Sequence, residues 1–214
     1  PSNVDMTRIR AEVLQHIYDR TGTPFRSYAI ARMARFEYVG TYIRPIYNFI
    51  VVNNLTSSII KKIMKFSLER NIPTLCKRTM RYLLSHEQQN KTDKGKVYLF
   101  ADEFTNYQEA EIGLRFAKML IKLGYQVVIP PHVESGRAAI SKGCLKLAKK
   151  YALSNVNMLA DIVSQSSPLV GIEPSCILSF RDEYPDLVPN ELRNKSRELA
   201  KNCLLYDEFL LREI

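Results

Sequence analysis

Apolar residues keep helical spacing through the first third of the chain and change to short unbroken runs after residue 96. Met6, Ile9, Val13 and Ile17 recur every three or four positions, and Ser2 followed by Asp5 resembles a capping box, so a helix is expected over about 3–20, ended by Gly22 and Pro24. From 25 to 68 the same rhythm is interrupted by Gly40 and Pro45, which predicts a helix to about residue 38, a short one over 46–52 and another over 56–68. In the last of these Ile59, Ile63 and Phe66 mark one face, Ile60 and Met64 flank it, and Lys61, Lys62 and Lys65 take the other. Phe25, Tyr28, Phe36, Tyr38, Tyr42, Tyr47 and Phe49 make the region aromatic, as a helical core or a surface that packs on another domain would be.

Residues 86–96, HEQQNKTDKGK, have the composition of a linker and predict a domain boundary between a helical region, 1–90, and a second unit, 96–214. Beyond it the pattern alternates: strand 97–101, helix 107–123, strand 126–129, helices across 137–163, strand 169–172. The expected fold class is α/β, a three-layer Rossmann-like parallel sheet over about 97–189 with an all-helical N-terminal region. In the helix at 107–123, Gln108, Glu111, Arg115, Lys118 and Lys122 form a polar stripe, which leaves Ile112, Phe116, Met119, Leu120 and Leu123 to cover the sheet, with Gly124 at the C-terminal cap. Leu192, Ser196, Leu199, Cys203, Tyr206 and Leu210 predict one final helix with a narrow buried stripe.

Right-handed crossovers put the strand ends on one edge, where ligands of open α/β sheets gather. That edge would carry Asp102, Glu103, Thr105 and Asn106 after the first strand, Glu134, Ser135, Gly136 and Arg137 after the second, and Glu173, Pro174, Ser175 and Cys176 after the third. With the second and third strands as neighbours, Glu134, Arg137, Glu173 and Cys176 would come within about 5–10 Å of one another. Ser135 and Gly136 before a helix could offer free N–H groups to an anion, and Glu134 and Glu173 could equally be helix caps.

Charge refines this picture unevenly. Residues 1–95 hold 16 Lys and Arg against 7 Asp and Glu, whereas 96–214 hold 15 against 15, so the net +9 belongs to the helical region. A basic helical surface fits a solvated or docking face, an acidic partner, nucleic acid or an anionic membrane. No Arg-rich block or aromatic RNA motif favours nucleic acid, and at most peripheral membrane contact is expected. No apolar run is long enough to span a bilayer and the first residues lack the apolar core of a signal peptide, which predicts a cytoplasmic protein. Cys76, Cys144, Cys176 and Cys203 are too far apart for a zinc or iron–sulfur knuckle; three read as small buried hydrophobes, and Cys176, after a strand, as a site candidate.

The segments VYLFADEFTNYQEAEIG, VVIPPHVESGRAAISKG and LVGIEPSCILSFRDEYPDL, within about 97–212, resemble the cysteine-rich, Cys-Cys-Gly-type domain of iron–sulfur oxidoreductases. These include the iron–sulfur subunit of glycolate oxidase, lactate-utilisation proteins, anaerobic glycerol-3-phosphate dehydrogenase and the B subunit of heterodisulfide reductase. The resemblance is greatest to fused forms that join an FAD-linked 2-hydroxy acid oxidase domain, a ferredoxin-type domain and this domain. PSNVDM looks like the continuation of a ferredoxin motif whose last cysteine precedes proline. The resemblance implies a fragment of an FAD- and 4Fe-4S-dependent enzyme oxidising glycolate, D-lactate or D-2-hydroxyglutarate, with FAD-binding and ferredoxin-type domains as partners in the same polypeptide or complex. The family's Cys after the first strand, Cys-Cys-Gly after the second and Cys after the third match Glu103, then Glu134, Ser135 and Gly136, then Cys176, so the resemblance implies that a single thiol remains and a degenerate site, with no metal, cofactor or catalytic residue in this portion. A non-catalytic interaction module that has lost its metal is the alternative.

Overall fold

The computed structural model of the chain describes residues 5–89 and 93–213. Five consecutive helices lead: α1 (Met6–Thr21), α2 (Phe25–Ala31), α3 (Met33–Tyr42), α4 (Arg44–Val52) and α5 (Asn54–Ile63). The Ser2 half of the expected capping box lies outside the described residues. Asp5 caps α1, its carboxylate accepting from the N–H groups of Thr7 and Arg8 at 2.9 and 3.2 Å. Pro45 stands in the first turn of α4, where a missing N–H costs nothing, so it starts a helix instead of only breaking one. A sixth helix, α6 (Met80–Ser85), precedes the sheet.

The sheet is parallel and Rossmann-like. Its strands among the described residues are β1 (Lys96–Phe100), β2 (Gln126–Val128), β3 (Leu169–Gly171) and β4 (Cys203–Leu205), in the order β2-β1-β3-β4. The crossovers run through α7 (Glu103–Tyr107) and α8 (Ala110–Lys122) after β1, and α9 (Arg137–Ser141) and α10 (Leu145–Leu159) after β2. After β3 come α11 (Pro174–Asp182), α12 (Tyr184–Leu187) and α13 (Arg193–Lys201), and α14 (Tyr206–Glu213) follows β4. Strand alternation divides two cores. Val97, Leu99, Val127 and Val170 face α6, α8 and Phe209 of α14, while Phe100, Leu169 and Cys203 face α10, α11, α12 and α13.

Four sequence expectations are corrected. The single helix at 107–123 is two, because Asp102 caps α7 and the turn at Gln108 and Glu109 separates it from α8. The face of α8 that meets the core is Ala110, Gly113, Leu114, Ala117 and Leu120, while Ile112, Met119 and Leu123 stay exposed. Small residues win that face because Met80 of α6 presses on it: a Cβ on Gly113 would collide with the Met80 sulfur. The final helix is interrupted at Asn202 by β4, whose apolar Cys203, Leu204 and Leu205 satisfy the otherwise open backbone edge of β3. And β1 lies between β2 and β3, so those two strands are not neighbours.

At the other edge the side chain of Gln89 pairs with β2. Its Nε2 donates to the Val127 carbonyl at 2.8 Å and its Oε1 accepts from the Val127 N–H at 2.9 Å.

Candidate functional site

The carboxyl ends of β1 and β2, with α3, α6 and α10 around them, enclose an open cleft of about 600 Å³. Glu103 and Asn106 from the start of α7, His132 and Glu134 from the loop after β2, Arg81 of α6 and Tyr151 of α10 line it. Glu103 is buried and its Oε2 has no hydrogen-bond partner. Burial, reinforced by the charges of Asp102, Glu134 and Glu173, pushes its carboxyl up to about 7. Across the α3–α7 packing, Glu37 accepts a hydrogen bond from the Gln108 amide on Oε1, leaves Oε2 unpartnered and is pushed up to about 8, mainly by burial. Glu134 is raised by burial, against the nearby Tyr151 hydroxyl and the cations Arg32 and Arg35.

His132 is held as a neutral imidazole. Nδ1 is 2.9 Å from the Val133 carbonyl, to which it donates, and Nε2 accepts from the Arg81 guanidinium at 2.8 Å and the Ala101 N–H at 3.3 Å. Burial first, then the Arg81 charge, lowers its pKa to about 4. The ring packs on Phe100, centroids 4.3 Å apart. Arg81 is itself tied down by the Pro130 carbonyl at 3.1 Å. A neutral imidazole, a buried carboxyl that holds its proton more tightly than an ordinary carboxyl does, and a held guanidinium give the cleft hydrogen-bond donors.

Of the residues expected at the edge, Glu103, Asn106 and Glu134 meet in the cleft. Thr105 donates its hydroxyl to Asp102, the cap of α7. Ser135 is buried; its Oγ accepts from the Arg137 N–H at 3.2 Å and its carbonyl from the Tyr184 hydroxyl at 2.8 Å. Gly136 adopts φ +78° before the five-residue α9. Arg137 lies towards Glu183, whose carboxyl is raised by burial against the Arg137 charge, and is outside the lining of the cleft. Glu173 caps α11, its Oε1 accepting from the Ser175 N–H at 3.3 Å and hydroxyl at 2.7 Å. Cys176 is buried among Phe100, Ile177 and Phe180, and its thiol is pushed up chiefly by burial.

His132, Arg81 and Tyr151 are the cleft's unforeseen members, and Glu37 lies beside it in the α3–α7 packing. His132 was within reach, being one of three histidines and standing directly after two prolines at a strand end. Arg81 and Glu37 come from helices upstream of the linker-like stretch, and nothing local to them signals the cleft.

These residues do not fit an iron–sulfur cluster. A cluster needs several thiolates, and here the one thiol of the set is buried in the core while the other matching positions carry hard oxygen donors or no side chain. Among the described residues no group of three or more His, Cys, Asp and Glu side chains is placed to hold a metal.

No family model matches the chain, and no solved structure is detectably similar to it. It is similar to D-2-hydroxyglutarate dehydrogenase of Pantoea ananatis, 26% identical over 226 residues, which cover 100% of this chain and 22% of that protein. The Escherichia coli K12 protein of the same name is 26% identical over 211 residues, 94% of this chain and 21% of that protein. Lactate utilization protein A of Macrococcus caseolyticus is 29% identical over 119 residues, 54% of this chain and 46% of that protein. The chain thus spans about a fifth of the length of the dehydrogenases it matches.

Proposed function

We propose that the chain is one portion of a longer oxidoreductase that oxidises a small D-2-hydroxy acid of the D-2-hydroxyglutarate, D-lactate or glycolate type. The observation that carries this reading is the extent of the similarity: both the helices and the α/β unit align with D-2-hydroxyglutarate dehydrogenases, over 100% and 94% of the chain. FAD and 4Fe-4S clusters held by other parts of the polypeptide would supply the redox chemistry when bound. This portion supplies docking surface and a closed sheet edge in which carboxylates stand where the resembled cysteine-rich domain has thiolates. Its own residues raise the proton affinity of Glu103 and Glu37 and keep His132 neutral beside Arg81.

The test uses the longer polypeptide. Dye reduction is expected with D-2-hydroxyglutarate, D-lactate or the achiral glycolate, and not with L-2-hydroxyglutarate or L-lactate. A polypeptide that carries flavin and reduces no dye with any of them overturns the reading and leaves the interaction module.

A further inference from the structure

The leading helices are written inside out. On α5 the residues turned to the chain's own interior are Ser57 and Lys61, 4% and 6% exposed, while Leu55, Ile59 and Ile63 are 73%, 52% and 61% exposed. The buried Lys61 satisfies its ammonium by donating from Nζ to the Leu68 carbonyl at 3.1 Å. α4 continues the pattern, with Ile46, Phe49 and Val52 exposed at spacings of three. A helix that folded only against this chain would turn those faces over, since large aliphatic side chains left in water forgo the free energy of burial. The amphipathic pattern therefore matches a layer that is not within the described residues.

The charge on these helices narrows the occupant. Between Glu37 and Glu69 the sequence has no acidic residue, while outside the inward-turned Lys61 it supplies three cations, the exposed Lys62 and Lys65 and the half-buried Arg44. A second copy would set this basic rim against itself, which costs affinity and favours wrong-partner rejection. An acidic rim around an apolar centre complements it. The chain aligns end to end with proteins about five times its length, in which a neighbouring unit is tethered at high effective concentration.

We infer that the exposed face of α4 and α5, centred on Phe49, Leu55, Ile59 and Ile63, is the seat of an acidic-rimmed, apolar-centred unit of the same longer polypeptide. This rests on the reading of the chain as part of a longer protein and adds which surface joins the parts and what chemistry covers it. The face is an interaction surface only; no reacting group lies on it.

Hydrogen–deuterium exchange of the amides of 58–63, compared in the 214-residue chain and the longer polypeptide, tests it. Protection at least about tenfold greater in the longer polypeptide is expected. The triple change Leu55→Ser, Ile59→Ser, Ile63→Ser should abolish that difference while leaving the melting temperature of the 214-residue chain unchanged, because these side chains are already in water there. The 214-residue chain should bind the separately produced remainder with affinity that falls about tenfold from 0.05 to 0.5 M NaCl. Equal exchange in both forms overturns the inference. So does burial of the same face in a salt-resistant dimer, or its protection only by phosphatidylserine vesicles. Protection without oxidation of D-2-hydroxy acids removes the proposed activity alone; oxidation with the face unprotected removes this inference alone.

Discussion

Cys176 shows how a residue can sit at a strand end and still belong to the core. It is buried against Phe180 and Ile177, its thiol held neutral by that burial, so Cys176→Ser places a hydroxyl among apolar side chains and should lower stability by about 1–3 kcal/mol in chemical denaturation. An unchanged midpoint would return the residue to the cleft. Glu37 carries a pH dependence of definite sign. Its ordinary carboxyl value is 4.5 and the folded value is about 8, so below 4.5 folded and unfolded chains are both protonated. Between 4.5 and about 8 only the unfolded chain gives up the proton, and stability is lost as pH rises through that window. Glu37→Gln keeps an acceptor for Gln108 and cannot ionise. It should flatten the stability profile and exceed the parent by roughly 1–3 kcal/mol at pH 9; equal slopes for the two proteins would refute the assignment.

Elements whose pattern is decided locally were legible, and those decided by their neighbours were not. The runs at 97–101, 126–129 and 169–172 are strands within a residue or so, and Gly124 takes φ +97° at the end of α8 as its position predicted. The split of 107–123 depends on Asp102 as a cap, and the buried face of α8 depends on Met80, 33 positions earlier, so hydrophobic size alone pointed to the wrong stripe. Cys203 to Leu205 kept the rhythm of a helix and became a strand because β3 had an open edge to fill. The cleft divides the same way. Glu103, Asn106 and Glu134 follow strands and were readable, while Arg81 and Tyr151 arrive from helices distant in sequence. Gly113→Ala tests the α6–α8 contact: with the Met80 sulfur standing where the new Cβ must go, overpacking should cost roughly 1–3 kcal/mol. Pairing it with Met80→Ala should recover part of that loss, whereas simple additivity would show that the two side chains do not compete.

At the scale of the molecule, the expected chemistry of the chain alone is none. With one buried thiol and carboxylates at the sheet edge, anaerobic reconstitution should leave the purified 214-residue protein colourless and D-2-hydroxy acids untouched; stoichiometric iron with acid-labile sulfide would contradict the donor set described above. The two ends of the sheet behave differently towards other chains. At the β2 edge, Gln89 already fills the donor and acceptor of Val127 with a side-chain amide. A foreign strand arriving there must first evict it, so this residue of a linker-like stretch serves as a guard against fibril-style growth of the sheet. The guard is chemical as well as steric: a carboxylate in place of that one amide would still accept from the Val127 N–H but would repel the Val127 carbonyl, so a single nitrogen separates a latched edge from a half-open one.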